Sequence, residues 1–327
     1  MILVDADVLG RGRTGEETYI ANLLRELPAA APDLRFAAVT RHPELVPQGV
    51  EAIALPARSQ EVRMAVSLPR LLRRLAPELA HFQHALPLAY AGRSVVTLHD
   101  LHFERDPSVM GLVDRLTFRA VVPRAARKAD HVLAVSERTK QDAVELYALA
   151  ADGITVTPLA VDPVFAPGDG AHDGYLLFVG AVQQRKDPLA ALDAAQATGL
   201  PLVVVGPEKD RALAAELRRR GADVRGAVPK AELAQLYRRA AAVVLLSRYE
   251  GFGIPVLEAM ASGTPVVLSD DPALREVAGD AGVYGPVAVA LADRERYRAA
   301  GLARAAQFSW RRTAELTAGA YRKVLAA

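Results

Sequence analysis

The stretch Ser247-Arg-Tyr-Glu250-Gly-Phe-Gly-Ile-Pro255-Val-Leu-Glu258-Ala-Met-Ala-Ser-Gly263-Thr-Pro265 sets two carboxylates eight positions apart around a glycine-bent corner. It leaves an apolar run that reads as a strand and enters a helix whose first position suits Pro255, because proline lacks the N–H that has no intrahelical partner there. Gly251 and Gly253, flanking Phe252 and leading into Ile254, let the backbone approach a ligand closely. The free N–H groups of the first helical turn and the helix dipole favour a phosphate at that place. Glu258, expected in the first turn, leans back toward the helix N-terminus, where a carboxylate can accept two hydrogen bonds from a vicinal diol such as a ribose. Dipole compensation, worth about 0.3 to 1 kcal/mol, is the bland account of Glu258. It explains one acid and not the Glu-Gly-Phe-Gly-x-Pro context.

Two further groups of residues carry chemistry. Gly10-Arg-Gly12-Arg-Thr-Gly15 has the spacing of a dinucleotide-binding turn, but the second strand ends Thr40-Arg41 where an acid would hold an NAD ribose. Arg41 would then have to act as an NADP phosphate clamp. The turn still offers free N–H groups to an anion, and a mobile turn without a ligand is the alternative. His81, His84, His99 and His102 fall at expected strand exits, yet no set among them has the spacing of a known metal site, so no metal is expected. A capping or core role is the competing account of each.

The elements that must position these residues are short Val/Ile/Leu runs alternating with longer helical stretches, the signature of βαβ units in mostly parallel sheets. Strands are predicted over residues 2–8, 34–40, 51–55, 79–83, 94–98 and 131–135, with helices over 16–27, 62–75, 109–127 and 137–148. Residues 155–174, rich in proline and glycine, read as a connection between domains. Strands then follow at 175–179, 202–205, 223–225, 242–246 and 264–268, and helices at 188–197, 209–220, 230–240, 255–262, 272–277, 294–307 and 310–325. The expected architecture is two doubly wound α/β domains facing a central cleft, with residues 1–160 as the first, 161–307 as the second, and 308–327 as a helix returning toward the first.

On Glu250 and Glu258 as an E-x7-E pair, the Glu-Gly-Phe-Gly-Ile-Pro context and Val179-Gly180-x4-Arg185-Lys186, the sequence resembles the retaining glycosyltransferases of family four, which have the GT-B fold. Leu98-His-Asp-Leu101, Ala129-Asp-His-Val-Leu-Ala-Val-Ser136, Gly226-Ala-Val-Pro229 and Phe308-Ser-Trp310 look like further landmarks in order, so the resemblance spans nearly the whole chain. It implies a nucleotide-diphosphate sugar, GDP- or UDP-linked, as donor and a saccharide or lipid-linked acceptor, with no separate cofactor. Glu258 would hold the ribose, the Gly251 to Gly253 backbone would face the sugar and phosphate, and Glu250 would bind sugar hydroxyls or steady the departing phosphate. The base would lie along Gly206 and the turn reaching Val228, near Gly180, while Gly15 would border the donor and His99 the sugar. Arg185 and Lys186 would carry the diphosphate. Paired cations there stabilise the charge that builds as the leaving group departs. Many family members place an arginine directly after the strand glycine; here that residue is Ala181, and Arg185 is expected to take its place. With arginines numbering 34 against 6 lysines, Lys186 is the more telling cation. No carboxylate is placed as a general base, and a front-face displacement, in which the leaving phosphate takes the acceptor's proton, would need none.

Composition bounds these readings. Of 327 residues, 51% are hydrophobic and 24% charged, which excludes a disordered chain, and the formal charge of +2 gives no overall field for nucleic acid. The absence of cysteine excludes a disulfide framework and thiolate chemistry. Residues 1–10 carry two acids and no basic leader, so no signal peptide is expected, and the chain reads as cytoplasmic. Basic stretches at 68–75 and 115–128 allow peripheral contact with an anionic membrane, or are solvated helix faces. Two alternatives to transfer remain at this point: a sugar-nucleotide epimerase or phosphorylase of the same fold, and a silent sugar-nucleotide-binding subunit.

Overall fold

The computed structural model describes residues 1–12, 14–57, 59–87, 90–105, 111–169 and 171–327. Val109, the start of one predicted helix, and Gly170, in the predicted connection, lie outside them. The chain divides into two compact units, Met1–Leu159 with Trp310–Ala327, and Ala160–Ser309.

The first unit holds a seven-stranded sheet of β1 (Ile2–Asp5), β2 (Phe36–Thr40), β3 (Glu51–Ala54), β4 (Leu79–Gln83), β5 (Ser94–Leu98), β6 (His131–Ala134) and β7 (Ile154–Val156), in the order β3-β2-β1-β4-β5-β6-β7. The second holds β8 (Leu176–Val179), β9 (Leu202–Val205), β10 (Asp223–Gly226), β11 (Ala242–Leu245), β12 (Val266–Leu268) and β13 (Gly282–Val283), ordered β10-β9-β8-β11-β12-β13. Every pairing is parallel. Central strands such as β5 and β11 are buried along their whole length, which is why they read as unbroken apolar runs. In both sheets the order reverses beside the first strand, making a switch point where doubly wound folds bind ligands at the carboxyl ends of the strands.

Three expectations are corrected. The first strand ends at Asp5, because Ala6 donates from its N–H to Val39 but Leu9 already turns back onto the Ala6 carbonyl. The edge strands β7 and β13 fall within stretches not read as strand; with three and two residues they are too short to show a period. The predicted helix at 62–75 begins at Gln60 under a Ser59 cap and passes through a π-helical turn, Arg63–Ser67, before Leu68–Leu75.

The last helix, Trp310–Ala326, packs on the helix Thr14–Ala30 and buries Trp310, Ala314, Ala318 and Tyr321. Arg322 pairs with Asp33 at 2.6 Å, and the Thr313 hydroxyl donates to the Pro158 carbonyl at 2.5 Å.

Candidate active site

At the switch point of the second unit, the loops leaving β8 and β11 meet. A 3₁₀ turn, Gln184–Lys186, follows β8, and Lys186 Nζ lies 2.5 and 2.6 Å from the two carboxylate oxygens of Glu250, beyond β11. Arg185 sits beside the pair, its Nη1 3.6 Å from Glu250 Oε2 and donating to the Tyr249 carbonyl at 2.5 Å. Arg185 and Glu250 are 7% and 8% exposed, and Arg185 Nε is buried without a hydrogen-bond partner. Backbone pairing holds the two loops together, since Arg248 N donates to the Arg185 carbonyl at 2.9 Å. Burial pushes the Glu250 carboxyl up, but the adjacent Lys186 and Arg185 outweigh it and hold Glu250 below the usual range. The carboxylate therefore stays ionised, and within this trio two cations face one anion, while the buried Asp271 accepts from the Glu250 N–H at 3.4 Å.

Glycines shape the same edge of the sheet. A Cβ on Gly206 would lie 2.0 Å from the Gly180 carbonyl oxygen, so no other residue fits where β8 and β9 end. Gly180 N donates to Val205 and Gly206 N to Gly226, which laces the exits of β8, β9 and β10 and places half-buried Val228 just beyond them. Gly253, at φ 105°, precedes the helix Ile254–Ala261, and a Cβ there would press on Leu274 Cδ2 at 2.8 Å. Ile254 opens that helix and Pro255 follows within its first turn. Phe252 is 4% exposed and packs edge-on against Phe308 at 6.0 Å, so its side chain is spent on the core and the corner presents its backbone.

Glu258 is the fifth residue of this helix, not a first-turn residue as expected, and dipole compensation no longer accounts for it. It is half-buried, and Tyr237 Oη donates to its Oε2 at 2.9 Å. Burial pushes the Glu258 carboxyl up to about 7, against the opposing pull of Tyr237 and Lys230.

In the first unit the four histidines occupy different environments. His81 lies inside β4 rather than at its exit, with Nδ1 2.6 Å from Tyr321 Oη and Nε2 2.7 Å from Thr97 Oγ1; burial pushes it down to about 3. His102 begins the short helix His102–Arg105 and pairs with Asp100 at 2.6 Å. His84, at φ 56°, lies 3.5 Å from Glu16. His99 follows β5, with Nε2 2.9 Å from Gln83 Oε1 and its ring 4.9 Å from Tyr19 and 5.1 Å from His84. Burial and the neighbouring His84 lower it to about 4, so it is neutral. An amide oxygen at Nε2 assigns the proton there and leaves Nδ1 as an acceptor. Among the described residues, no three His, Asp or Glu side chains come together to hold a metal ion.

Gly15 is the exposed second residue of the helix Thr14–Ala30, with nothing within 4 Å of an added Cβ. The turn before it engages its own helix, as Gly10 N donates to Glu17 Oε1 at 2.8 Å. The basic stretch 68–75 buries Leu68, Pro69, Leu71 and Leu72 while Arg70, Arg73 and Arg74 stay exposed, so its apolar face belongs to the core. No helix among the described residues is long and apolar enough to cross a membrane.

The structure thus gathers Gly180, Arg185, Lys186, Gly206, Val228, Glu250 and Gly251 to Glu258 around one end of the second sheet, and puts His99 and Gly15 in the first unit. Sequence reading missed Tyr237 and Gln83. Tyr237 sits on an apolar helix face that looks like core, and a neutral amide at a strand end gives no pattern.

These features define a two-domain α/β protein of Rossmann-like build. Residues 13–165 match the family described as Glycosyltransferase Family 4, and residues 167–293 that described as Glycosyl transferases group 1. The chain is 32% identical to O-antigen chain mannosyltransferase B of Escherichia coli over 268 residues, 70% of each chain. It is 35% identical to the D-inositol 3-phosphate glycosyltransferase of Stackebrandtia nassauensis over 224 residues, 54% of this chain and half of that one. In fold it is similar to a sucrose-phosphate synthase from Thermosynechococcus elongatus, with TM-score 0.79 and 19% identity over 99% of both chains. It is also similar to Anabaena HepE, crystallised with UDP and glucose, with TM-score 0.70 and 17% identity over 98% of both. The chain belongs to glycosyltransferase family 4 and has the GT-B type of fold.

Proposed function

We propose that the chain transfers a hexose of mannose or glucose type from a GDP- or UDP-linked donor to an acceptor hydroxyl, with retention at the anomeric carbon. The observation that carries this reading is the Lys186–Glu250 pair beside Arg185, set at the switch point with Glu258 one helical start away. The two cations suit a diphosphate. Glu258 takes the ribose diol, the backbone from Gly251 to Gly253 faces the sugar and phosphate, and the base lies along Gly206 and Val228. His99, neutral with Nδ1 as acceptor, takes a sugar hydroxyl.

In the transfer step the bond from the anomeric carbon to the diphosphate oxygen breaks and its electron pair goes to the diphosphate. The acceptor oxygen bonds the same carbon from the same face, and its proton passes to the leaving phosphate. Lys186 and Arg185 stabilise the charge that grows on that phosphate, an effect of the order of 3 kcal/mol for one contact. Glu250, ionised and held by Lys186, acts as their counter-charge and not as a base.

The mannosyltransferase among the relatives supports a mannose-type donor. A lipid-linked acceptor at the inner membrane face is supported by Arg70, Arg73 and Arg74, which share the outer side of one helix and have no ion-pair partner among the described residues. A thermal-shift panel of nucleotide sugars tests the donor, since binding raises apparent stability by mass action. Product analysis with and without acceptor, with the anomeric coupling read by NMR, tests transfer and retention. No shift with any GDP or UDP sugar overturns the proposal.

A further inference from the structure

The carboxyl ends of β1 and β2 carry a layered ion cluster that the transfer reaction leaves without a role. Asp5, the last residue of β1, takes Arg63 in a bidentate pair, Nη1 to Oδ2 at 2.9 Å and Nη2 to Oδ1 at 2.6 Å. Arg63 is 0% exposed and stands on the π-helical turn, with its Nε 3.3 Å from Asp7 Oδ1. Asp7, itself 4% exposed, lies 3.0 Å from Nε of Arg41, directly after β2, and 3.2 Å from Nη1 of Arg11. Along the cluster Asp5 and Asp7 flank the fully buried Arg63, and beyond Asp7 stand two guanidiniums, each with about a quarter of its side chain exposed.

The charge count separates a binding role from a structural one. Asp5 and Arg63 neutralise each other, and Asp7 needs one cation; it holds two, so three guanidiniums face two carboxylates and +1 remains at the outer end. Arg41 pairs electrostatically with Asp7 through Nε without a hydrogen bond, and its Nη2 donates to Gln60 Oε1 at 3.5 Å. The Arg11 side chain lies against Asp7 through Nη1 and has no other ion pair among the described residues, while its backbone N–H donates to the Val8 carbonyl at 3.2 Å. One buried carboxylate therefore holds two guanidiniums by charge, with N–H groups of both left over beyond the Arg41–Gln60 contact. Ordering two long side chains in advance lowers the entropy that a ligand must otherwise overcome. The cluster adjoins β1, the strand beside the switch point of the first sheet, where doubly wound folds take their ligands.

We propose that Arg11 and Arg41 form a clamp for a phosphate group borne by the acceptor. Two forks call for more than the two oxygens and single charge of a carboxylate, and a phosphate monoester supplies three oxygens and close to two charges. That the phosphate belongs to the acceptor rests on the transferase reading above; the clamp itself does not.

The experiment follows the Nε–Hε NMR signals of Arg11 and Arg41 in the full chain while glycerol 3-phosphate, inorganic phosphate, glycerol and chloride are titrated in turn. Glycerol 3-phosphate is expected to move both signals saturably, and glycerol and chloride neither. Arg41→Lys, which keeps the charge and loses the fork, is expected to weaken binding about tenfold, and the double variant Arg11→Gln/Arg41→Gln to abolish it. Inorganic phosphate acting as well as the ester assigns the site to phosphate as such. Signals that move only with phosphatidylglycerol vesicles assign it to a lipid headgroup. Wild-type signals that no phosphate moves, or an affinity unchanged in the double variant, overturn the clamp. Should the double variant not fold, Arg41→Lys and the wild-type signals decide. Nucleotide-sugar binding by the variants reads the donor site separately, so a missing clamp and a wrong transferase assignment give different results.

Discussion

Tyr237 donates from Oη to Oε2 of Glu258 at 2.9 Å, from a side chain wholly buried on the helix Lys230–Arg239. The bond occupies one carboxylate oxygen, and the other is the one the proposed diol contact would use. Because burial lifts Glu258 to about 7 from an ordinary 4.5, the folded chain holds a proton there that the unfolded chain releases between those values. Stability from this group is present at low pH and is lost as pH rises toward 7. If Glu258 holds the ribose as proposed, nucleotide-sugar affinity is expected to rise between about pH 6 and 8. Calorimetric titration across that range checks it. Tyr237→Phe is expected to move the midpoint upward and weaken binding about tenfold, and Glu258→Gln to flatten the profile.

Lys186 and Glu250 separate stability from catalysis. Removing Lys186 alone leaves a buried carboxylate with Arg185, at 3.6 Å, as its nearby cation, so Lys186→Met is expected to cost about 3 kcal/mol of stability as well as activity. The double variant Lys186→Met/Glu250→Leu is expected to recover most of the melting temperature and none of the transfer. Transfer recovered along with stability would falsify the role given to the pair.

How much of this was legible in sequence depends on what each residue answers to. Glu250, Gly251, Gly253 and Pro255 announce themselves because strand exit, tight turn and helix entry each demand particular residue types. Glu258 is legible but falls one residue further along the helix than expected, just past the first turn, since the helix begins at Ile254. Tyr237 and Gln83 were invisible, because each matters only through a partner on another element, and register between elements is not written in local pattern. The edge strands β7 and β13 escaped for a related reason, as partners and not length make them strands.

His81 and His99 predict acid sensitivity in the first unit. Burial lowers them to about 3 and about 4 from 6.5, so below pH 6.5 the unfolded chain takes up protons that the folded chain refuses. The stability that depends on their neutral forms is complete above 6.5 and is lost as pH falls toward 4. Melting temperature measured against pH is expected to show this, with a shallower acid limb in His81→Gln.

Two glycines give opposite expectations. Gly206→Ala drives a methyl group onto the Gly180 carbonyl, and a loss of at least about 3 kcal/mol is expected from denaturant unfolding. Gly15→Ala meets open space on a helix and is expected to leave the fold intact or firmer by up to about 1 kcal/mol. A loss of turnover in Gly15→Ala without loss of stability marks that turn as ligand-facing.

The helix Trp310–Ala326 brings Tyr321 to His81 across 240 positions of chain. During synthesis on the ribosome, β4 therefore emerges with its buried imidazole still lacking a phenol, and it waits while all of Ala160–Ser309 is made. The domain begun first is finished last, and a nascent chain stalled before residue 321 exposes a half-built interior to chaperones and proteases.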